Sequence, residues 1–103
     1  RVARASRGRW ERLFDAVPDM IFVLDRNAEV VLANRAAERV TGYDQATLRG
    51  GRLARFVAPG QREAAMAQMN RTLNGESMSY EAAAYRADGT PLAVRMSTVP
   101  LLE

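Results

Sequence analysis

Two stretches of this chain read as β-hairpins, one near each end, and what lies between them reads as helix and turn; few architectures accommodate that order. In the second hairpin, residues 77–86 and 91–101 are strand-like and are joined by Ala87-Asp88-Gly89-Thr90. Its Asp-Gly pair suits the positive backbone angles of a tight turn. In the first, Met20–Leu24 is an unbroken apolar run closed by Asp25, Arg26, Asn27 and Ala28, after which residues 29–33 resume with Val30, Val31 and Leu32. Both runs are rich in strand formers bounded by turn residues.

The helical signals fill the rest. Trp10, Leu13, Phe14 and Val17 fall at i, i+3, i+4 and i+7 and form one helical stripe, which Pro18 stops. Asn34 precedes the helix formers Arg35, Ala36, Ala37 and Glu38, where its side-chain oxygen can accept amide protons that have no partner within the helix; Gly42 ends that helix. Asp44 is placed to cap a short turn reaching Leu48 before Gly50-Gly51. Over residues 59–73 the spacing of Ala65, Met66, Met69 and Leu73 predicts the longest helix, with proline tolerated in its first turn and Asn74-Gly75 as its stop. Residues 1–8 show no apolar periodicity and read as a flexible lead-in or the tail of an upstream helix, leaving residues 9–103 as the domain.

Length and composition narrow the function. At 103 residues the chain suits one core. It contains no cysteine and no histidine, which removes thiolate nucleophiles, disulfides, the commonest general base and the commonest metal ligands. An enzyme is therefore not expected, since acid-base work would fall to carboxylates with no paired motif. All 15 basic residues are arginine, giving a net charge of +3. Five of them lie in the first twelve residues, while beyond that point ten arginines face eleven acids. The folded body thus lacks the basic surface of a nucleic-acid binder. No apolar run approaches the roughly 20 residues needed to cross a bilayer, and the arginine-rich start carries no secretory signal pattern, so no membrane contact and a cytoplasmic setting are expected.

The element order and its residues resemble the PAS family from Leu13 to Leu101. The resemblance rests on Asp25 after the first strand, Asn34 opening a helix, Thr41-Gly42-Tyr43 closing it, Leu48-Arg49-Gly50, Phe56-Val57-Ala58-Pro59, and Tyr85-Arg86-Ala87-Asp88-Gly89-Thr90. It implies an α+β fold: an antiparallel sheet with helices packed on one face and a small cavity between them. It also implies a fifth strand in the middle of the sheet, following a further turn, for which no residues are present before Glu103. An open slot there would strand backbone donors and acceptors. It should be filled by further residues, by a partner's segment, or by a rearranged edge; direct pairing of the first and fourth strands would remove the difficulty.

Within that family, residues 51–57 look like the signature of the flavin-binding light-oxygen-voltage photosensors. The position of their reactive cysteine is Ala54, and their two flavin-reading asparagines fall on Ala84 and Val94. Covalent flavin photochemistry is excluded, since no thiolate can form. Haem is not expected either, for lack of histidine; Met66 and Met69, at helical spacing, read as core filler. Arg55 stands where the photosensors contact the flavin phosphate, and reads either as an anion contact or as a solvated surface arginine. Strand alternation and the resemblance together place Phe22, Leu24, Val57, Ala84, Val94 and Met96, with Arg55, around a candidate pocket for an apolar or aromatic ligand; the cofactor itself is unknown. The alternative is that these side chains fill the core. Asn34 reads as a helix cap, and Asp25 and Asp88 read as turn residues.

The stripe Trp10, Leu13, Phe14 and Val17 is the candidate dimerisation surface, since a helix this short gains little from standing alone in water. The expected whole is a sensory module of a larger signalling protein, such as a sensor histidine kinase or a cyclic-dinucleotide enzyme. It would form a homodimer and control an effector domain on its N- or C-terminal side. A purely structural dimerisation domain with a filled core is the alternative.

Overall fold

The structure, a computed structural model, describes residues 2–101, with side chains from Gly8 onward. Arg1 of the expected lead-in and Glu103 lie outside the described residues. The first helix, α1, runs over Val2–Ala16, and so begins well before the expected start at Trp10; it ends two residues ahead of Pro18. Strands β1 (Met20–Leu24) and β2 (Val30–Ala33) form the first hairpin. Asp25 shapes its turn by accepting bonds from the amides of Asn27 (2.8 Å) and Glu29 (3.1 Å). A register shift after Val23 puts Leu24 opposite Val30.

Helix α2 (Arg35–Thr41) is capped by Asn34 and closes at Gly42, whose φ of 80° only glycine adopts readily and whose amide donates to the Glu38 carbonyl at 2.8 Å. The short α3 (Gln45–Leu48) is capped by Asp44 through the Thr47 amide. Two 3-10 turns follow, Leu53–Phe56 and Pro59–Gln61, and the second leads into α4 (Arg62–Leu73). The helix expected from residue 59 thus opens with a tighter turn, and α4, at 12 residues, is not the longest helix as expected, because α1 extends upstream of Trp10 to reach 15. Strands β3 (Met78–Tyr85) and β4 (Pro91–Pro100) make the second hairpin, with Tyr85 opposite Pro91 and Met78 opposite Thr98.

The sheet has the order β2-β1-β4-β3, with helices on one face. The strands within each hairpin are antiparallel, but β1 and β4 run parallel, from Met20 opposite Met96 to Leu24 opposite Pro100. The sheet is therefore mixed where a wholly antiparallel one was expected. The feared open slot does not occur among the described residues: β4 itself closes against β1, and the backbone groups that a gap would have orphaned bond each other. The α+β architecture stands as expected.

The inner face carries the core. Phe22, Leu24, Val30, Leu48, Leu53, Val57 and Met69 are all at most 2% exposed. Fully burying side chains of this size contributes on the order of 1.5–3 kcal/mol each, which makes this cluster the principal stabilising unit of the molecule.

Candidate functional site

Asn34 sits where α1, β1 and α2 meet, and it is fully buried. Its Oδ1 accepts from the amides of Ile21 (3.0 Å) and Ala37 (3.1 Å). Its Nδ2 donates to the Asp19 carbonyl at 2.9 Å, with longer contacts to the carbonyls of Val17 (3.3 Å) and Phe14 (3.4 Å). One side chain thus caps α2, as the sequence indicates, and also ties the end of α1 to the first strand. Asp15 adds a second tie from α1, accepting from the Arg35 amide at 2.9 Å. Only the capping half was legible beforehand, because the second half depends on how α1 returns to the sheet.

Above that joint α1 is largely uncovered. Leu13 is 64% exposed and Trp10 is 47% exposed, with the Trp10 ring stacked on Phe14 at 5.0 Å between centroids. Phe14 and Val17 are half-buried. The four stripe residues therefore divide: two rest near the domain's own joint and two face outward.

The candidate pocket residues come together, with one exception. Phe22, Leu24, Val57 and Met96 belong to a single buried cluster against which Val94 packs, and Ala84 is buried beside Val57 through a backbone bridge. Arg55 points elsewhere. Its guanidinium donates to the Thr47 carbonyl, lies 4.5 Å from the centroid of the Phe56 ring, and occupies the space beside Gly51. Of the two methionines, Met69 is fully buried in the core and Met66 is 38% exposed, so they do not converge on one point.

A polar patch that sequence analysis did not single out lies farther along the interior. The Thr72 and Thr98 hydroxyls, both fully buried, bond each other at 2.7 Å between α4 and β4. Nearby, Gln68 Oε1 is shielded from solvent and bonds no protein group, while the equally shielded Tyr80 hydroxyl has only the Thr98 hydroxyl beside it. Both residues line a cavity of about 100 Å3 between α4 and β3. Burial pushes the Tyr80 phenol above its ordinary pKa, and the neighbouring Thr98 hydroxyl offsets only part of that, so Tyr80 is a neutral donor at pH 7. The available signal was Tyr80 alternating with Ala82 and Ala84 along one strand face, and Gln68 beside Met69. A wider cleft of about 440 Å3 opens at the ends of β1, β4 and α4, between Leu24, Arg26, Thr72, Leu73 and Pro100; it borders Leu101, the last described residue, and its one buried polar side chain, Thr72, is already bonded to Thr98.

The charged groups are arranged for turns and caps. Asp44 is held below the usual carboxylate range by the Thr47 amide, Asp88 by the Thr90 hydroxyl and amide, and Glu76 by its 2.9 Å ion pair with Arg71. Asp25 and Asp88 each serve their own turn. Among the described residues no cluster of acids could hold a metal ion, and no helix is long and apolar enough to cross a membrane.

Comparison with known proteins agrees with this geometry. A family model described as the PAS fold matches residues 14–103. Among solved structures, the PAS domain of an HTR-like protein from Haloarcula marismortui is 26% identical, with a TM-score of 0.71 over 91% of this chain and 82% of that one. A domain of a sensory box sensor histidine kinase/response regulator from Geobacter sulfurreducens is 22% identical, with a TM-score of 0.75 over 93% and 84% of the two chains. The PAS domain of a protein from Colwellia psychrerythraea is 21% identical, with a TM-score of 0.77 over 93% and 82%. No curated protein matches the chain significantly.

Proposed function

The chain belongs to the PAS fold family, and from that membership we propose that it is a cytoplasmic regulatory module of a larger signalling protein, one that acts by assembly and binding and not by turnover. In this reading residues 9–103 form the module, residues 1–8 lead into it, and an effector domain receives its state. That the similar Geobacter domain comes from a sensor histidine kinase/response regulator supports this placement.

The observation that carries the reading is α1. Its base is tied to the sheet through Asn34, while Leu13 and Trp10 present apolar surface outward. Exposed apolar side chains on a helix with so little of its own domain covering it gain most by meeting a second copy, and a twofold pairing needs only one self-complementary patch. Trp10, Leu13, Phe14 and Val17 are the proposed dimer contact. Any change in how two such helices pair would be passed through Asn34 to β1 and α2, and the reverse.

For the residues Phe22, Leu24, Val57, Ala84, Val94 and Met96, burial favours the filled core over an apolar ligand. The buried members are at most 5% exposed, and a ligand among them would need space that neighbouring side chains occupy. Arg55, engaged with Thr47 and Phe56, would have to leave both to serve it.

Sedimentation velocity over a concentration series tests the assembly. The native chain should self-associate and Leu13→Glu should stay monomeric with its fold intact by circular dichroism. A native chain that stays monomeric at its highest soluble concentration, or a Leu13→Glu chain that associates equally well, would contradict the reading.

A further inference from the structure

The arginines of this chain are not spread evenly over its surface. From Gln45 to Arg62 the sequence holds Arg49, Arg52, Arg55 and Arg62 and no acid. The first three are exposed, and none of them is within ion-pair distance of a carboxylate among the described residues. Arg49 follows the last turn of α3 and Arg52 follows Gly51. Arg55 reaches back between them, for its guanidinium donates to the Thr47 carbonyl in α3 and lies against Gly51. Three guanidinium-bearing side chains thus leave from one short stretch of surface. Glu29 is the acid that the backbone sets beside them, opposite Arg52, and it can neutralise only one of the three.

Arg55 differs from an ordinary surface arginine in being held. Thr47 takes one of its N–H groups, its guanidinium carbon lies 4.5 Å from the centroid of the Phe56 ring, and Phe56 packs in turn on Tyr43 at 5.0 Å between centroids. Gly51 makes that posture possible, since a Cβ there would occupy the space of the guanidinium. A fixed planar fork with N–H groups to spare loses less freedom on binding than a mobile side chain does. Carboxylates suit it, because their two oxygens accept two parallel N–H bonds. A nucleic acid suits it less. Binding a phosphate backbone draws on a broad positive surface, whereas here only three arginines gather, with Glu29 among them, on a body whose acids outnumber its arginines.

We infer that Arg49, Arg52 and Arg55 form a docking surface for an acidic segment of a partner protein, with Arg55 as its fixed anchor. No residue of α1 belongs to this surface, so the inference does not depend on the dimer, and the two are measured apart.

The test titrates the 15N-labelled chain at low ionic strength with hexaglutamate, and separately with a six-residue oligothymidylate and with inorganic phosphate, followed by NMR. Hexaglutamate should shift the resonances of Thr47, Arg49, Gly51, Arg52 and Arg55 saturably. Its Kd should rise about tenfold in Arg55→Gln, and nearly as much in Arg55→Lys, which keeps the charge and loses the fork. Gly51→Ala keeps every charge but dislodges the guanidinium, and should raise the Kd about threefold; the two Arg55 variants serve if it folds poorly. Arg95→Gln, which removes the same charge from β4, should leave the Kd within about twofold of the native value. Leu13→Glu should bind as the native chain does, so that a failed dimer leaves this inference standing. Four results overturn it: no saturable shift with hexaglutamate; shifts confined to residues 1–12; equal losses in Arg55→Gln and Arg95→Gln, the mark of unspecific attraction; or tighter binding of the oligothymidylate or phosphate at the same arginines, which would make the surface one for phosphates.

Discussion

Asn34 and Gln68 carry the same functional group in two parts of one interior and use it in opposite ways. The Asn34 amide is saturated by α1, β1 and α2, each of which contributes backbone groups. The Gln68 amide has a buried oxygen that no protein group meets. A saturated amide is a joint, since removing it orphans every group it served. An unsaturated one contributes little to the fold.

The largest effect should come from breaking the joint. Asn34→Ala should destabilise the chain by about 3 kcal/mol in urea unfolding, because a helix cap and the buried groups around it are lost together. A loss under about 1 kcal/mol would remove the contrast with Gln68. The hydroxyl pair comes next. Thr72→Val should cost about 1–2 kcal/mol by leaving Thr98 unpaired, and adding Thr98→Val should recover part of it, since both partners are then apolar.

The pH dependence is smaller and separates surface from interior. Asp44, Asp88 and Glu76 have folded pKa values below their ordinary ones. Their contribution is complete above the usual carboxylate range and is lost as pH falls through the lowered values. Tyr80 works in the other direction. Its raised pKa makes its contribution complete below 10.0, lost as pH rises beyond that. Stability measured against pH should fall at both extremes, and Tyr80→Phe should flatten only the alkaline limb. The smallest effect is expected at the other amide: Gln68→Leu should change stability by no more than about 0.5 kcal/mol, or increase it, since an apolar side chain replaces an unpaired polar one.

What the sequence made legible follows the range of the interactions. Both hairpins, the caps at Asn34 and Asp44 and the stop at Gly42 depend on neighbours a few residues away, and all are found. The parallel pairing of β1 with β4 joins residues some 76 positions apart, as in Met20 opposite Met96, and no local pattern encodes it. The same holds for the second role of Asn34, which depends on carbonyls 15 to 20 residues upstream. Arg55 was placed by family likeness, but its guanidinium finds nearer partners in Thr47 and Phe56. Gln68 and Tyr80 escaped notice because each is unremarkable alone; only the packing of α4 on β3 shields their polar atoms from solvent.

Residue-by-residue hydrogen exchange in Asn34→Asp and Gln68→Leu tests most directly whether one amide is a joint and the other is not. Asn34→Asp keeps the oxygen that caps α2 but turns a carboxylate toward the carbonyls at the end of α1. Exchange should therefore quicken through α1 and at the start of β1 while β3 and β4 stay protected, and Gln68→Leu should leave α1 unchanged. Equal loosening of the whole chain by both substitutions, or α1 unaffected by Asn34→Asp, would contradict the account.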